Sequence, residues 1–181
     1  MEYDVLKLEN QLCFPLYACS REIVKKYTPL LAEIGLTYTQ YIVMLVLWEQ
    51  KKTTAKELGE RLHLDSGTLT PLLKRLEANG LVSRFRAPED ERNLMVTLTG
   101  KGGELQAKAA DIPGRIGPCI NLSPEEAVTL YGLLYKILDC VGYTGGWPVW
   151  RRTYLRNWYI YLRNRGIVRM FTLRFVRFHV K

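Results

Sequence analysis

"TTAKELGERLHLDSGTLTPLLKRLEANGLVSRF", residues 53–85, decides the fold. Thr54 caps a short first helix in which Leu58 and Leu62 lie four residues apart. Asp65, Ser66 and Gly67 have the chemistry of a turn. Leu69, Leu72, Leu73 and Leu76 then recur at the three- and four-residue spacing of a second helix, and Asn79-Gly80 ends it. The next stretch, "LVSRFRAPEDERNLMVTLT" (81–99), has β-rich runs on both sides of a charged, proline-containing tip and reads as a hairpin.

Helix, turn, helix and hairpin, in that order, predict a winged helix-turn-helix, a mainly α fold with a small β wing. A recognition helix sets short polar side chains against base edges and basic ones against phosphates. Ser66, Thr68 and Thr70 stand at the N-terminal end of the second helix, and Lys74 and Arg75 follow. Arg84, Arg86 and Arg92 lie on or beside the hairpin, where an arginine can enter a minor groove. The order of elements is specific. Any one of these residues could equally belong to a solvated helix face.

Outward from this module, residues 5 to about 34 read as one helix, interrupted by Pro15 and Pro29 and closed by Gly35. Proline is tolerated in a first turn and disruptive later, so a true start near Cys13 and a bend near Pro29 are expected. Thr39 is read as the cap of an apolar helix through Glu49. Ser123-Pro124-Glu125-Glu126 is a capping box with proline at the first helical position. The helix it opens carries Leu130, Leu133, Leu134, Ile137, Leu138 and Val141 on one stripe, up to Gly142. That stripe is long for so small a domain, so part of it is expected to face another subunit.

The chain has 181 residues, 48% of them hydrophobic, and a formal net charge of +8. Residues 143–181 hold nine of the 26 Lys/Arg and no acid, which leaves 17 basic and all 18 acidic residues in 1–142, a net of −1. The positive charge is therefore a property of a basic, aromatic extension, read as lying outside the core fold. It repeats "YLRN" at 154–157 and 161–164. Either it packs poorly or it binds membrane or nucleic acid without specificity. For the core no stable membrane association is expected. The opening Met1-Glu2-Tyr3-Asp4 is unlike a signal peptide, and the apolar run Tyr41–Trp48 is too short to span a bilayer. A cytoplasmic protein with reduced thiols is expected. Four cysteines (13, 19, 119 and 140) without CxxC spacing, and two histidines, argue against a metal site, and nothing calls for a cofactor.

"LENQLCF", "LYACSRE", "YTPLL", "TYTQY", "LDSGTLTPLLKRLE", "GLVSR", "EDERN" and "KAADIPG" together resemble the multiple-antibiotic-resistance regulator (MarR) family of dimeric winged-helix repressors, and within it the organic hydroperoxide-resistance regulators. The resemblance covers roughly residues 6–140. It implies a regulator over 1–142 and not an enzyme, with a DNA-binding lobe at about 37–100 and a homodimer formed by helices at about 5–34 and 101–142. Asp90 matches the wing-tip acid that holds an arginine, here Arg92, toward DNA.

The resemblance also assigns Cys13 as a peroxide sensor, with Tyr27 and Tyr38 as its hydroxyl partners. A thiolate is the nucleophile, and the free N–H groups and dipole of a helix N-terminus favour it. Fourteen helical residues span about 21 Å, so Tyr27 would have to come from the other subunit if it shares a helix with Cys13. Apolar neighbours (Leu12, Phe14, Leu16, Tyr17) favour an organic hydroperoxide as oxidant. The resulting sulfenic acid condenses with a second thiol, either a small cellular thiol or Cys119, which lies near the start of the C-terminal helices. Cys19 and Cys140 are expected to pack in helices. The reading is a repressor that holds a pseudo-palindromic operator in double-stranded DNA when reduced and releases it when Cys13 is oxidised. The alternatives are a repressor released by a small phenolic ligand and a thiol peroxidase, for which the sequence holds no active-site motif.

Overall fold

A computed structural model describes residues 3–87 and 90–141, with the backbone alone at 87 and 90–92. The basic extension from 143 onward and the side chains of Asp90 and Arg92 lie outside the described residues. The chain divides into two compact units, 1–120 and from 121 onward.

The first unit begins with two short 3-10 turns, Asp4–Leu6 and Leu8–Asn10. The Asn10 amide donates to the Asp4 carbonyl (2.7 Å) and the Gln11 amide to that of Val5 (2.6 Å), so this arm folds on itself. Helix α1 (Cys13–Ala32) follows and runs through Pro29, with Gly35 at φ 71° ending the segment. The helix expected from residue 5 thus starts at Cys13. Pro15 sits in its first turn, where its missing N–H costs no hydrogen bond.

Helix α2 (Tyr38–Gln50) is capped by Thr37 and not Thr39. Thr37 Oγ1 accepts from the Gln40 N–H, and the Gln40 side chain accepts in return from the Thr37 N–H (2.8 Å). Gln40, Tyr41, Val43, Met44, Val46, Leu47 and Trp48 are all buried, which makes α2 the central helix of the core.

A three-residue strand that sequence reading missed, β1 (Lys52–Thr54), leads into α3 (Ala55–Leu62). Thr54 caps α3 with Glu57 completing the box. The turn to α4 (Ser66–Ala78) is made by His63, in the left-handed region at φ 54°, and Leu64. Asp65 is not in that turn. It is the N-cap of α4, accepting from the Thr68 N–H at 2.8 Å. Strands β2 (Val82–Ala87) and β3 (Asp90–Leu98) form the hairpin, and β1 pairs with β3 in the order β1-β3-β2, all antiparallel.

Helices α5 (Gly100–Ala109) and α6 (Ile112–Ile120) complete the unit, with Ala109, Ile112 and Ile116 buried in the same core as α2 and α4. Arg115 on α6 grips Glu33 just beyond α1 through two parallel bonds of 2.9 and 2.8 Å. The guanidinium holds the Glu33 carboxyl below its ordinary range.

In the second unit the predicted box opens α7 (Pro124–Cys140), with Ser123 and Glu126 bonded reciprocally. No residue of α7 is buried, and Leu130, Leu133, Leu134 and Ile137 stand exposed along it. Among the described residues no helix is long and apolar enough to cross a membrane, and no group of three or more His, Cys, Asp or Glu side chains could hold a metal ion.

Candidate nucleic-acid interface and thiol site

Leu69, Leu72, Leu73 and Leu76 anchor α4 in the core. At 100° per residue that stripe leaves Ser66, Thr70, Lys74 and Arg75 outside it, and all four are exposed. Thr68 is exposed too, but its hydroxyl donates to Asp65 Oδ2 at 2.9 Å, which ties it to the cap. The Thr68 N–H and hydroxyl hold the Asp65 carboxyl below its ordinary range, so the cap stays charged at neutral pH.

The wing divides the arginines differently from expectation. Pairing of Arg84 with Val96 and of Arg86 with Leu94 puts both arginines on the sheet face that also carries the buried Val82. Arg86 lies toward the tip and is exposed. Arg84 faces α4, where its Nε and Nη2 both donate to Glu77 Oε2 (2.9 and 2.5 Å). Two of its guanidinium nitrogens are thus engaged within the protein.

Sequence reading missed Glu77. It also missed Thr99 and Lys101, which close the same corner from the other side. Thr99 Oγ1 donates to the carbonyls of Gly80 and Leu81 (2.7 and 3.0 Å), and Lys101 Nζ to that of Asn79 (2.8 Å). Gly102 lets α5 come this close, since a Cβ there would lie 2.1 Å from the Leu81 carbonyl oxygen. Its own carbonyl accepts from the Trp48 indole N–H at 2.8 Å. The glycines at 100, 102 and 103 are the one sequence feature from which this approach could have been suspected. The polar partners cross a turn, where no periodicity reveals them.

Cys13 is the first residue of α1 and is exposed. The helix entrance has no side-chain cap, so no side chain competes for its terminal N–H groups. Tyr27 stands fourteen residues along the same helix, about 21 Å away. The structure does not bring these two residues together within one chain. It does bring Tyr27 to Tyr38, edge to face with ring centroids 5.1 Å apart, and to Tyr41 at 6.0 Å. Burial pushes the Tyr38 phenol above its ordinary value, which keeps it an O–H donor at neutral pH.

Cys119 lies in the last turn of α6, exposed, with its thiol donating to the Arg115 carbonyl at 3.7 Å. Cys19 and Cys140 are in helices as expected, yet both are exposed and neither is packed.

An N-capped helix with a polar exposed edge, joined to a two-stranded wing and carried on a largely helical core, defines a protein of the winged-helix, DNA-reading class. Comparison with known proteins narrows this class. Residues 25–109 match the family model described as transcriptional regulator SarA/Rot. The organic hydroperoxide resistance transcriptional regulator of Bacillus subtilis is 51% identical over 138 residues, 76% of this chain and 94% of that protein. Among solved structures, reduced AbfR bound to DNA is similar at a TM-score of 0.67 and 37% identity, over 78% of this chain and 99% of that one. Overoxidised AbfR bound to DNA is similar at a TM-score of 0.62 and 39% identity, over 78% and 100%. The chain belongs to the MarR family, in its organic hydroperoxide-resistance branch.

Proposed function

We propose that this regulator is a homodimeric repressor that grips a pseudo-palindromic operator when reduced and lets go when an organic hydroperoxide oxidises Cys13. The observation that carries the reading is the separation of the thiol from the phenols. One unbroken helix keeps Cys13 and Tyr27 about 21 Å apart, so the Tyr27–Tyr38 pair can serve only the thiol of a second chain. Support for a second chain comes from the apolar side chains the protomer leaves exposed: Leu6, Leu8, Leu12 and Phe14 at its N-terminus, and the stripe on α7. The relatives solved on DNA in reduced and overoxidised forms support both the partner and the kind of signal.

The chemistry balances with the residues present. The Cys13 thiolate attacks the distal peroxide oxygen; an S–O bond forms, the O–O bond breaks, and the alkoxide leaves as an alcohol after taking a proton. Sulfur is oxidised by two electrons to a sulfenic acid. A second thiol then attacks that sulfur and releases water. Cys119, exposed on α6, is the protein's own candidate. A small cellular thiol is the other.

Cys13→Ser is expected to bind a duplex selected by the wild-type protein as tightly as wild type does, and to stay bound in a gel shift containing cumene hydroperoxide. Release of that variant by peroxide would remove Cys13 from the mechanism. After the same oxidation, wild-type protein on a non-reducing gel is expected to show a crosslinked dimer that is absent from Cys119→Ser. A crosslink that persists in Cys119→Ser would give the resolving role to another cysteine.

A further inference from the structure

We propose that Glu77 and Arg84 form a clasp that fixes the wing to the recognition helix and so sets selectivity for the operator. Arg84 is in this view a positioning residue and not a DNA contact. The inference rests on the DNA-reading function proposed above.

Strand β2 is an edge of the sheet, so every second N–H along it lacks a strand partner. The Glu77 carboxylate takes the place of that missing strand at one position. Its Oε1 accepts the backbone N–H of Arg84 at 3.1 Å while its Oε2 accepts Nε and Nη2 of the same residue. One carboxylate thus fixes both the strand and the side chain. The arginine side chain is only 16% exposed, closed in over Val82 and Val96 on the core face of the sheet.

Across the corner, Thr99 and Lys101 hold the carbonyls of residues 79–81, so the path from α4 into β2 is tied on both sides. Two residues beyond the clasp, on the same face, stands Arg86. The clasp therefore fixes where Arg86 lies relative to Thr70 and Lys74 on the helix. With Nε and Nη2 both given to Glu77, the Arg84 guanidinium keeps only part of its donor fork for a phosphate, and its carboxylate partner offsets its attraction to one.

Charge arithmetic makes this testable. Glu77→Gln removes one negative charge from the reading head and keeps an acceptor for the Arg84 N–H. Electrostatics alone would raise its affinity for any DNA. Loss of wing positioning predicts the reverse for the operator. The probe is a duplex enriched by wild-type protein from a random-sequence pool, measured against an unselected duplex.

The expected result is roughly tenfold weaker binding to the selected duplex, with binding to the unselected one equal or tighter and the melting temperature near wild type. Arg84→Lys retains the charge but loses the fork, and is expected to lose the same selectivity. A phosphate contact would tolerate that change. Equal or tighter binding of Glu77→Gln to the selected duplex overturns the clasp while leaving DNA reading intact. Failure of wild type to enrich any sequence overturns both.

Discussion

Gly102→Ala is expected to destabilise the first unit by roughly 3 kcal/mol or more, the upper end of the cost of overpacking. The added methyl would meet the Leu81 carbonyl oxygen at 2.1 Å and Leu98 Cδ1 at 2.9 Å. The first of these is backbone, held in place by the Thr99 hydroxyl and N–H, so it cannot swing aside as a side-chain end would. Relief would require α5 to move away from the corner, which breaks the Trp48 bond to the Gly102 carbonyl and opens the core beside α2. For a unit of this size each kcal/mol lowers the melting temperature by about 4 °C. Thermal unfolding followed by circular dichroism should therefore show a drop of roughly 10 °C or more. A drop of a degree or two would mean that α5 yields easily and that the corner is not held as described.

The second large effect tests whether the sensor is shared between chains. In one mixed dimer, one subunit carries Cys13→Ser and the other carries Tyr27→Phe. Its only sensor thiol then faces the partner's Tyr27, which is intact. In the other mixed dimer, one subunit carries both substitutions and its partner is wild type. Its only thiol then faces a subunit whose Tyr27 is substituted. A hydrogen bond to a charged group is worth about 1.5–3 kcal/mol, so the first dimer should oxidise about ten- to a hundredfold faster than the second. If Tyr27 served its own chain the order would invert, and equal rates would remove Tyr27 from the sensor. Differently tagged subunits purified together, with Cys13 oxidation followed by mass spectrometry, give the comparison directly.

How far the sequence reached depended on whether a signal was local. The leucine spacing of α4, the Thr54 and Ser123 caps and the hairpin are contained within a few residues each, and all appear in the structure. Asp65-Ser66-Gly67 misled because the residues that favour turns also favour N-caps. The true turn depends on His63 adopting a left-handed conformation, which residue type does not announce. Strand β1 escaped because it is three residues long and pairs with a strand distant in sequence.

Helix α6 was obscured by Pro113, Gly114, Gly117 and Pro118; its stability comes from burying Ile112 and Ile116, a tertiary effect. At the site, Cys13 at a helix start could be anticipated from Pro15. The pairing of Arg84 with Glu77 could not, since the two lie across a turn and only the folded chain joins them.

The apolar side chains left bare on the N-terminal arm and on α7 have a consequence for the cell. With the dimer proposed above, simultaneous reading of both operator half-sites, and each sensing pocket, exist only while two chains are together. Halving the number of chains then removes more than half of the competent repressor once the concentration nears the dissociation constant. The abundance of the protein itself becomes an input to the switch. Growth that outruns synthesis would loosen repression by dilution alone, with no peroxide present.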